Sequence, residues 1–298
     1  MKVRVLTGAI ILILTVGFVL LKQFSPFIFD AYILIMMYGI TYEMTKAYKT
    51  AGKPVNNVLV YIVPIIMFIF SAFVNRNDTF SFAFIGIILF LILYVILLVI
   101  EEAIELAIKR KKQETEGVKL FDKTVNTLSI VAYPQLVFSF MFLLNHSSYS
   151  IGYIGIILSF AIAMLTDTCA FMFGCAFGKH KLIPEVSPNK TIEGAIGGLV
   201  GGLVGALACF FIFYYTSWLG LSEIASFGKG IGFFILIGIV GSISTQVGDL
   251  IESAFKRKMG VKDLGKIFPG HGGFMDRVDG LMFTSVVVYV LINLLSIV

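Results

Sequence analysis

Long apolar runs, separated by short polar stretches, occupy most of this chain. A hydrocarbon core about 30 Å thick takes roughly 20 apolar residues in a helix. On that measure nine spans are predicted: 4–21, 27–45, 55–74, 80–104, 124–144, 150–176, 192–216, 229–252 and 278–297. The first follows Lys2 and Arg4 as a signal peptide would, but it runs into Lys22-Gln23-Phe24 with no small-residue cleavage site, so it reads as a retained span. The expected fold is therefore all-α, a polytopic integral membrane protein of about nine transmembrane helices. Residues 1–145 supply N-terminal helices, and 146–298 supply a C-terminal region with two unusual loops, 178–194 and 253–280.

Composition agrees with this pattern. Of the 298 residues, 58% are hydrophobic and 14% charged, against about 25% charged in soluble domains. Mean hydropathy is +0.96. A soluble enzyme, a disordered chain and a secreted disulfide scaffold are excluded. Cys169, Cys175 and Cys209 have no metal-ligand spacing and read as small core hydrophobes. The glycines at 197, 198, 201, 202 and 205 have the small-xxx-small spacing of close helix packing, within the chain or across a dimer.

Charge sets the orientation. With the N-terminus cytoplasmic, only Lys22, Arg76 and Lys229 of the 23 basic residues fall on the outer side, as the positive-inside rule requires.

Two of the inner loops carry more than topology. In 178–194, Ser187, Asn189, Lys190 and Thr191 lead straight into a span. Hydroxyls, a lysine and free helix-start N–H groups make an anion site. They also make ordinary helix punctuation, with Ser or Asn as cap and Glu193 in the first turn, and both readings can hold at once. Loop 253–280 is denser. Lys256, Arg257, Lys262, Lys266 and Arg277 share it with Asp276 and Asp279, which lie three apart on one helical face. Its glycine-rich stretch lets backbone approach a ligand closely. Asp249 and Glu252 lie in the preceding span and Asp167 in an earlier one. Intramembrane ionisable residues mark function by default, although a buried structural pair is the alternative for Asp167. Glu43, near the end of the second span, reads as interfacial or paired. His271 alone reads as a loop hydrogen-bonder. Cations among carboxylates suggest a magnesium–nucleotide site.

Residues 253–279 resemble the signature of the phosphatidate cytidylyltransferases, or CDP-diacylglycerol synthases. Ser253, Lys256-Arg257, Lys262-Asp263, Gly265, Pro269, His271-Gly272-Gly273, Asp276-Arg277 and Asp279 follow that pattern without departure. Ser187-Pro188-Asn189-Lys190-Thr191 with Glu193-Gly194 is similar to a second element of the family. Asp167-Thr168 with Gly174 and Gly178-Lys179 is similar to the segment before it.

The resemblance implies an inner (plasma) membrane enzyme that converts CTP and phosphatidate to CDP-diacylglycerol and pyrophosphate. It implies Mg²⁺, with K⁺ associated with the same centre, and a homodimer; nucleic acid is not an expected partner. Carried over by position, the family's metal-binding aspartates fall on Asp249 and Asp276, with Asp279 as a third ligand or a support behind them. Lys190, Lys256, Arg257, Lys262 and Arg277 are expected to clamp phosphates, and Ser187, Asn189, Thr191 and His271 to contact substrate. Rival readings are another CTP-dependent lipid-activating enzyme, a polyprenol kinase, and an anion transporter. The last predicts an inverted repeat and charges near the midplane. No repeat is visible, and the charge collects on one side.

Overall fold

The structure is a computed structural model that describes residues 2–73, 80–111, 121–216, 219, 226–270 and 272–295. Ten α-helices dominate it: α1 Lys2–Leu21, α2 Pro26–Thr50, α3 Asn57–Phe73, α4 Phe80–Lys111, α5 Asp122–Ile130, α6 Val137–His146, α7 Tyr149–Phe177, α8 Ile192–Thr216, α9 Phe227–Lys258 and α10 Met275–Leu295. A wide π-helical segment, Val131–Leu136, joins α5 to α6. Among the described residues seven segments are long and apolar enough to cross a membrane, with α5–α6 counted as one, and α1 and α3 are shorter apolar helices. The chain is a multi-pass membrane protein.

Each predicted span has its helix, with three differences. The fifth is broken. Pro134 has no N–H to donate, and Tyr133 before it is extended at φ −142° and ψ 116°. Gln135, beside the break, ties it to α2 and α3, donating from Nε2 to Thr41 Oγ1 at 2.7 Å and to Val60 O at 3.0 Å. Second, α9 continues past residue 252 to Lys258, so Ser253, Lys256 and Arg257 are helical rather than loop. Third, the 178–194 stretch holds a small antiparallel hairpin, β1 Lys181–Ile183 and β2 Ser187–Thr191.

The central packing is by α7, α8, α9 and α10, and α10 also lies against α6 and α2. The glycine stripe of α8 serves this packing within the chain. A methyl on Gly201 would strike the Leu165 carbonyl of α7, and one on Gly202 would strike Ser242 Oγ of α9. Backbones this close gain dispersion and weak polar contacts that larger side chains would prevent. Of the cysteines only Cys209 is buried; Cys169 is partly covered and Cys175 is exposed. The expectation of three core thiols fails at Cys175 because it lines a cavity.

Candidate active site

Charged residues from both unusual loops meet at one end of the α7–α10 bundle. The hairpin comes first. Thr191 ends β2 and caps α8, its Oγ1 accepting from Gly194 N at 3.1 Å, so the cap is Thr191 rather than Ser or Asn. Glu193, in the first turn, reaches back to accept from Lys179 N at 3.1 Å and contacts His180 Nδ1 at 2.6 Å. The helix start therefore holds both ends of its own hairpin. Arg257, on the last turn of α9, donates from Nε to Val186 O at 3.3 Å and ties the hairpin to α9.

Lys190 then joins the two motifs: its Nζ lies 2.7 Å from Asp249 Oδ2 of α9. One turn along α9, Glu252 is 2% exposed, and Asp279 of α10 faces both. Carboxylate oxygens of Asp249, Glu252 and Asp279 all lie within 4.8 Å of one another. Three acids this close repel strongly in a low-dielectric setting unless cations intervene. Lys256 supplies one, 2.8 Å from Glu252 Oε2 and 2.5 Å from Asp276 Oδ1. Asp276 Oδ2 also accepts from Gly273 N at 2.7 Å. Among the described residues, Glu252 Oε1 is buried with no hydrogen-bond donor. Buried acceptors are nearly always satisfied, and a bound cation would satisfy this one. An all-carboxylate oxygen set of this spacing suits a hard divalent ion such as Mg²⁺.

The start of α10 is fixed from a distance by Glu43 of α2, which accepts from Phe274 N at 2.9 Å and Met275 N at 3.0 Å. This also explains the glycine-rich loop. A Cβ on Gly265 or Gly273 would collide with the Glu43 carboxylate. At these two positions the glycines admit an internal carboxylate, where a ligand was expected, because the free N–H groups of a helix start need an acceptor.

Two cavities flank the cluster. One, of about 520 Å³, lies between α7, α8, α9 and the hairpin and is lined by Asn189, Lys190, Thr191, Gln246 and Asp249. The other, of about 280 Å³, lies between α1, α2, α7 and α10 and reaches Arg277 and Asp279. Asp167 lines both.

Of the expected residues, Lys190, Asp249, Lys256, Asp276 and Asp279 are brought together, while Asn189, Thr191 and Arg277 line the cavities. Ser187 sits at the far end of β2, and Lys262 is exposed on the loop after α9. His271 lies outside the described residues. Glu252 was not among the expected site residues, although its i,i+3 spacing from Asp249 already puts the two on one face. Gln246, one turn before Asp249, lines the larger cavity and donates to Ala195 O at 3.2 Å; only its place within a span hinted at this.

Residues 2–295 match the cytidylyltransferase family. The chain belongs to that family. Its similarity to named relatives covers about half of its length. It is 41% identical over 156 residues to a phosphatidate cytidylyltransferase of Staphylococcus haemolyticus, a stretch covering 52% of this chain and 54% of the relative. A protein of the same name from Staphylococcus saprophyticus is 43% identical over 144 residues, 48% of this chain and 50% of the relative. The chain thus spans about half the length of the curated relatives it matches.

Proposed function

We propose that this protein transfers the cytidylyl group of CTP to phosphatidate, releasing CDP-diacylglycerol and pyrophosphate. The observation that carries the reading is the Lys190–Asp249 ion pair, which joins the hairpin motif to the carboxylate cluster at the mouth of a cavity. Membership of the cytidylyltransferase family and the names of its relatives support the same activity.

Phosphatidate carries its phosphate at headgroup depth and CTP is water-soluble, so both can meet only at a membrane interface. A phosphate oxygen of the lipid attacks the α-phosphorus of CTP. A new P–O–P bond forms, the bond to the β-phosphate oxygen breaks, and pyrophosphate leaves with its electron pair. The nucleophile is already anionic and needs no strong base. The protein has to collect four phosphates, neutralise them and hold them in line. Lys190 and Lys256 provide charge beside the cluster. Arg277 provides it on the other side of Asp167. Arg257 holds the hairpin whose Asn189 and Thr191 face the larger cavity. Lys262 lies on the approach.

Asp249, Glu252 and Asp279 would hold Mg²⁺, and Asp276 becomes available to it when Lys256 turns from its carboxylate to a phosphate. When bound, the ion supplies neutralisation of the charge developing on the phosphate oxygens. K⁺ at the same centre and a homodimer are carried on family resemblance alone. The basic residues support a plasma-membrane placement with this end toward the cytoplasm.

Purified protein in detergent, given α-labelled CTP, phosphatidate and Mg²⁺, should move label into a lipid product and release one pyrophosphate per lipid. Omitting Mg²⁺ should stop it. Label transfer from the γ-phosphate of CTP to a polyprenol, with none to phosphatidate, would overturn the reading in favour of a kinase.

A further inference from the structure

The break in the fifth span faces the carboxylate cluster. Pro134 interrupts the helix, and Gln135 pins the interruption to Thr41 of α2 and Val60 of α3. Tyr133, extended just before the proline, is thereby turned out of the helical path. Its ring packs on Phe283 of α10, with centroids 5.8 Å apart, one turn beyond Asp279. The carboxylates whose charge bears on its phenol are Glu252 first, then Asp279 and Asp249. These are the same acids that crowd together in the cluster.

Among the described residues, the Tyr133 hydroxyl is buried with no hydrogen-bond partner, and Glu252 Oε1 has no donor. Each such atom costs free energy if it stays unpaired. A donor without an acceptor and an acceptor without a donor, turned to one centre, complement each other. A phenol suits this place. It gives one proton to a carboxylate and adds no positive charge of its own to compete with a metal ion. A serine or threonine hydroxyl on a helix is instead taken by a carbonyl one turn back, as those of Ser242, Thr245 and Thr284 are.

We propose that Tyr133 is a positioning residue of the metal centre. Its hydroxyl donates to Glu252, directly or across one water, and holds that carboxylate toward the cation that Asp249, Glu252 and Asp279 would share. This rests on the reading above that the cluster takes a divalent ion. Carboxylates that bind metals are oriented by donors behind them, and losing such a donor costs about 10- to 100-fold in metal affinity. The N-terminal half of the chain therefore tunes the centre although it carries none of the charged motif.

The test titrates the full-length protein in detergent with Mn²⁺ alone, the free ion being read by its electron paramagnetic resonance. Tyr133→Phe keeps the ring on Phe283 and removes only a buried hydroxyl, so the variant should fold. It should weaken Mn²⁺ binding by about tenfold or more. The Mg²⁺ concentration for half-maximal lipid product should rise in proportion, while kcat at saturating Mg²⁺ stays within about threefold. A merely structural tyrosine would not split the two. Tyr94→Phe is the control. That hydroxyl is also buried with no partner among the described residues, but the charge beside it is Glu101 of its own helix, and its loss should leave Mn²⁺ affinity unchanged. Glu252→Gln should weaken Mn²⁺ binding by itself, and in that background Tyr133→Phe should add less than about twofold, because the two act as a unit. Unchanged Mn²⁺ affinity in Tyr133→Phe, an equal loss in Tyr94→Phe, or full additivity with Glu252→Gln overturns the assignment. The two readings fail differently. Wild-type protein that binds Mn²⁺, loses affinity in Tyr133→Phe, yet makes no lipid product refutes the activity and keeps the role of Tyr133. Wild-type protein that binds no Mn²⁺ refutes the metal centre and that role together.

Discussion

Two acidic sites adjoin α2, and they are built in opposite ways. Near the start of the helix, Asp30 is 1% exposed and both of its oxygens are met: Oδ1 by Asn145 Nδ2 at 2.7 Å, Oδ2 by His146 Nε2 at 2.9 Å. Asn145 also donates to Pro26 O, and Lys22 Nζ donates to Asn145 O. These contacts tie α6 to α2 and to the turn after α1. About 20 Å along the same helix, Glu43 abuts a region where acids face acids. There Asp249, Glu252 and Asp279 crowd together, and Glu252 Oε1 has no donor among the described residues. A satisfied carboxylate between helices is architecture. Like charges held together against their repulsion, with a bare buried oxygen, are on the proposed reading the place that takes a cation and its phosphates. Burial alone does not separate the two cases; the balance of donors and acceptors does.

The hardest blow to that contrast is Asp249→Asn. It should cut CDP-diacylglycerol formation by about 10³-fold or more, the loss of several kcal/mol of charge stabilisation. Relief of one repelling charge in the cluster is set against the loss of the Lys190 counter-ion, so the fall in turnover should far exceed any change in melting temperature. Near-normal turnover at ordinary Mg²⁺ would remove Asp249 from the centre.

Lys256→Gln comes next, at roughly 30- to 1,000-fold in rate. Lys256 bridges Glu252 and Asp276, so its loss also leaves two buried acids uncompensated. Lys256→Arg separates the roles. It should restore thermal stability while leaving turnover at least about tenfold down, because a planar fork does not replace a compact ammonium. Full recovery of rate by arginine would reduce Lys256 to a structural counter-ion.

How far the sequence discloses this contrast depends on the element. The spans are legible because apolar length alone marks them, and Asp249, Asp276, Asp279 and Lys190 are legible because ions inside or beside a span are conspicuous. The end of α9 is not. Ser253 to Lys258 is polar and basic, so hydropathy places it in a loop, whereas helix continuation is what brings Lys256 to Asp276. The hairpin has strands of three and five residues, too short for any period to register. The role of Glu43 as an acceptor for the start of α10 depends on contacts more than 230 residues apart in sequence, which no local pattern carries. Pro134 was a signal in plain view for the break in the fifth span.

Asp30→Asn tests the architectural side. The amide keeps one acceptor but presents a donor where Asn145 and His146 already crowd the other oxygen. Unfolding should cost about 1–3 kcal/mol less, while kcat and both KM values stay within about twofold when assayed well below the new melting point. A large fall in kcat with stability unchanged would mean that the Asp30 cluster communicates with the site, and the distinction drawn between the two clusters would fail.

The smallest effect is expected at Lys111→Gln, and it decides whether position matters more than sign. Lys111 closes α4 within a run of four consecutive cations, 109–112, with no carboxylate or glycine turn beside it in sequence. Lys256 belongs to the same basic side of the chain. If inner-side positive charge acted only through topology, the two substitutions would behave alike. A lysine in a run of like charges contributes about 0–1 kcal/mol to any single partner, and three neighbouring cations remain to hold orientation. Activity per unit of inserted protein should therefore stay within about twofold of wild type for Lys111→Gln, measured beside Lys256→Gln at matched membrane expression. Equal losses at the two positions would mean that the end of α9 is no phosphate site, and that the charges around Asp276 serve insertion alone.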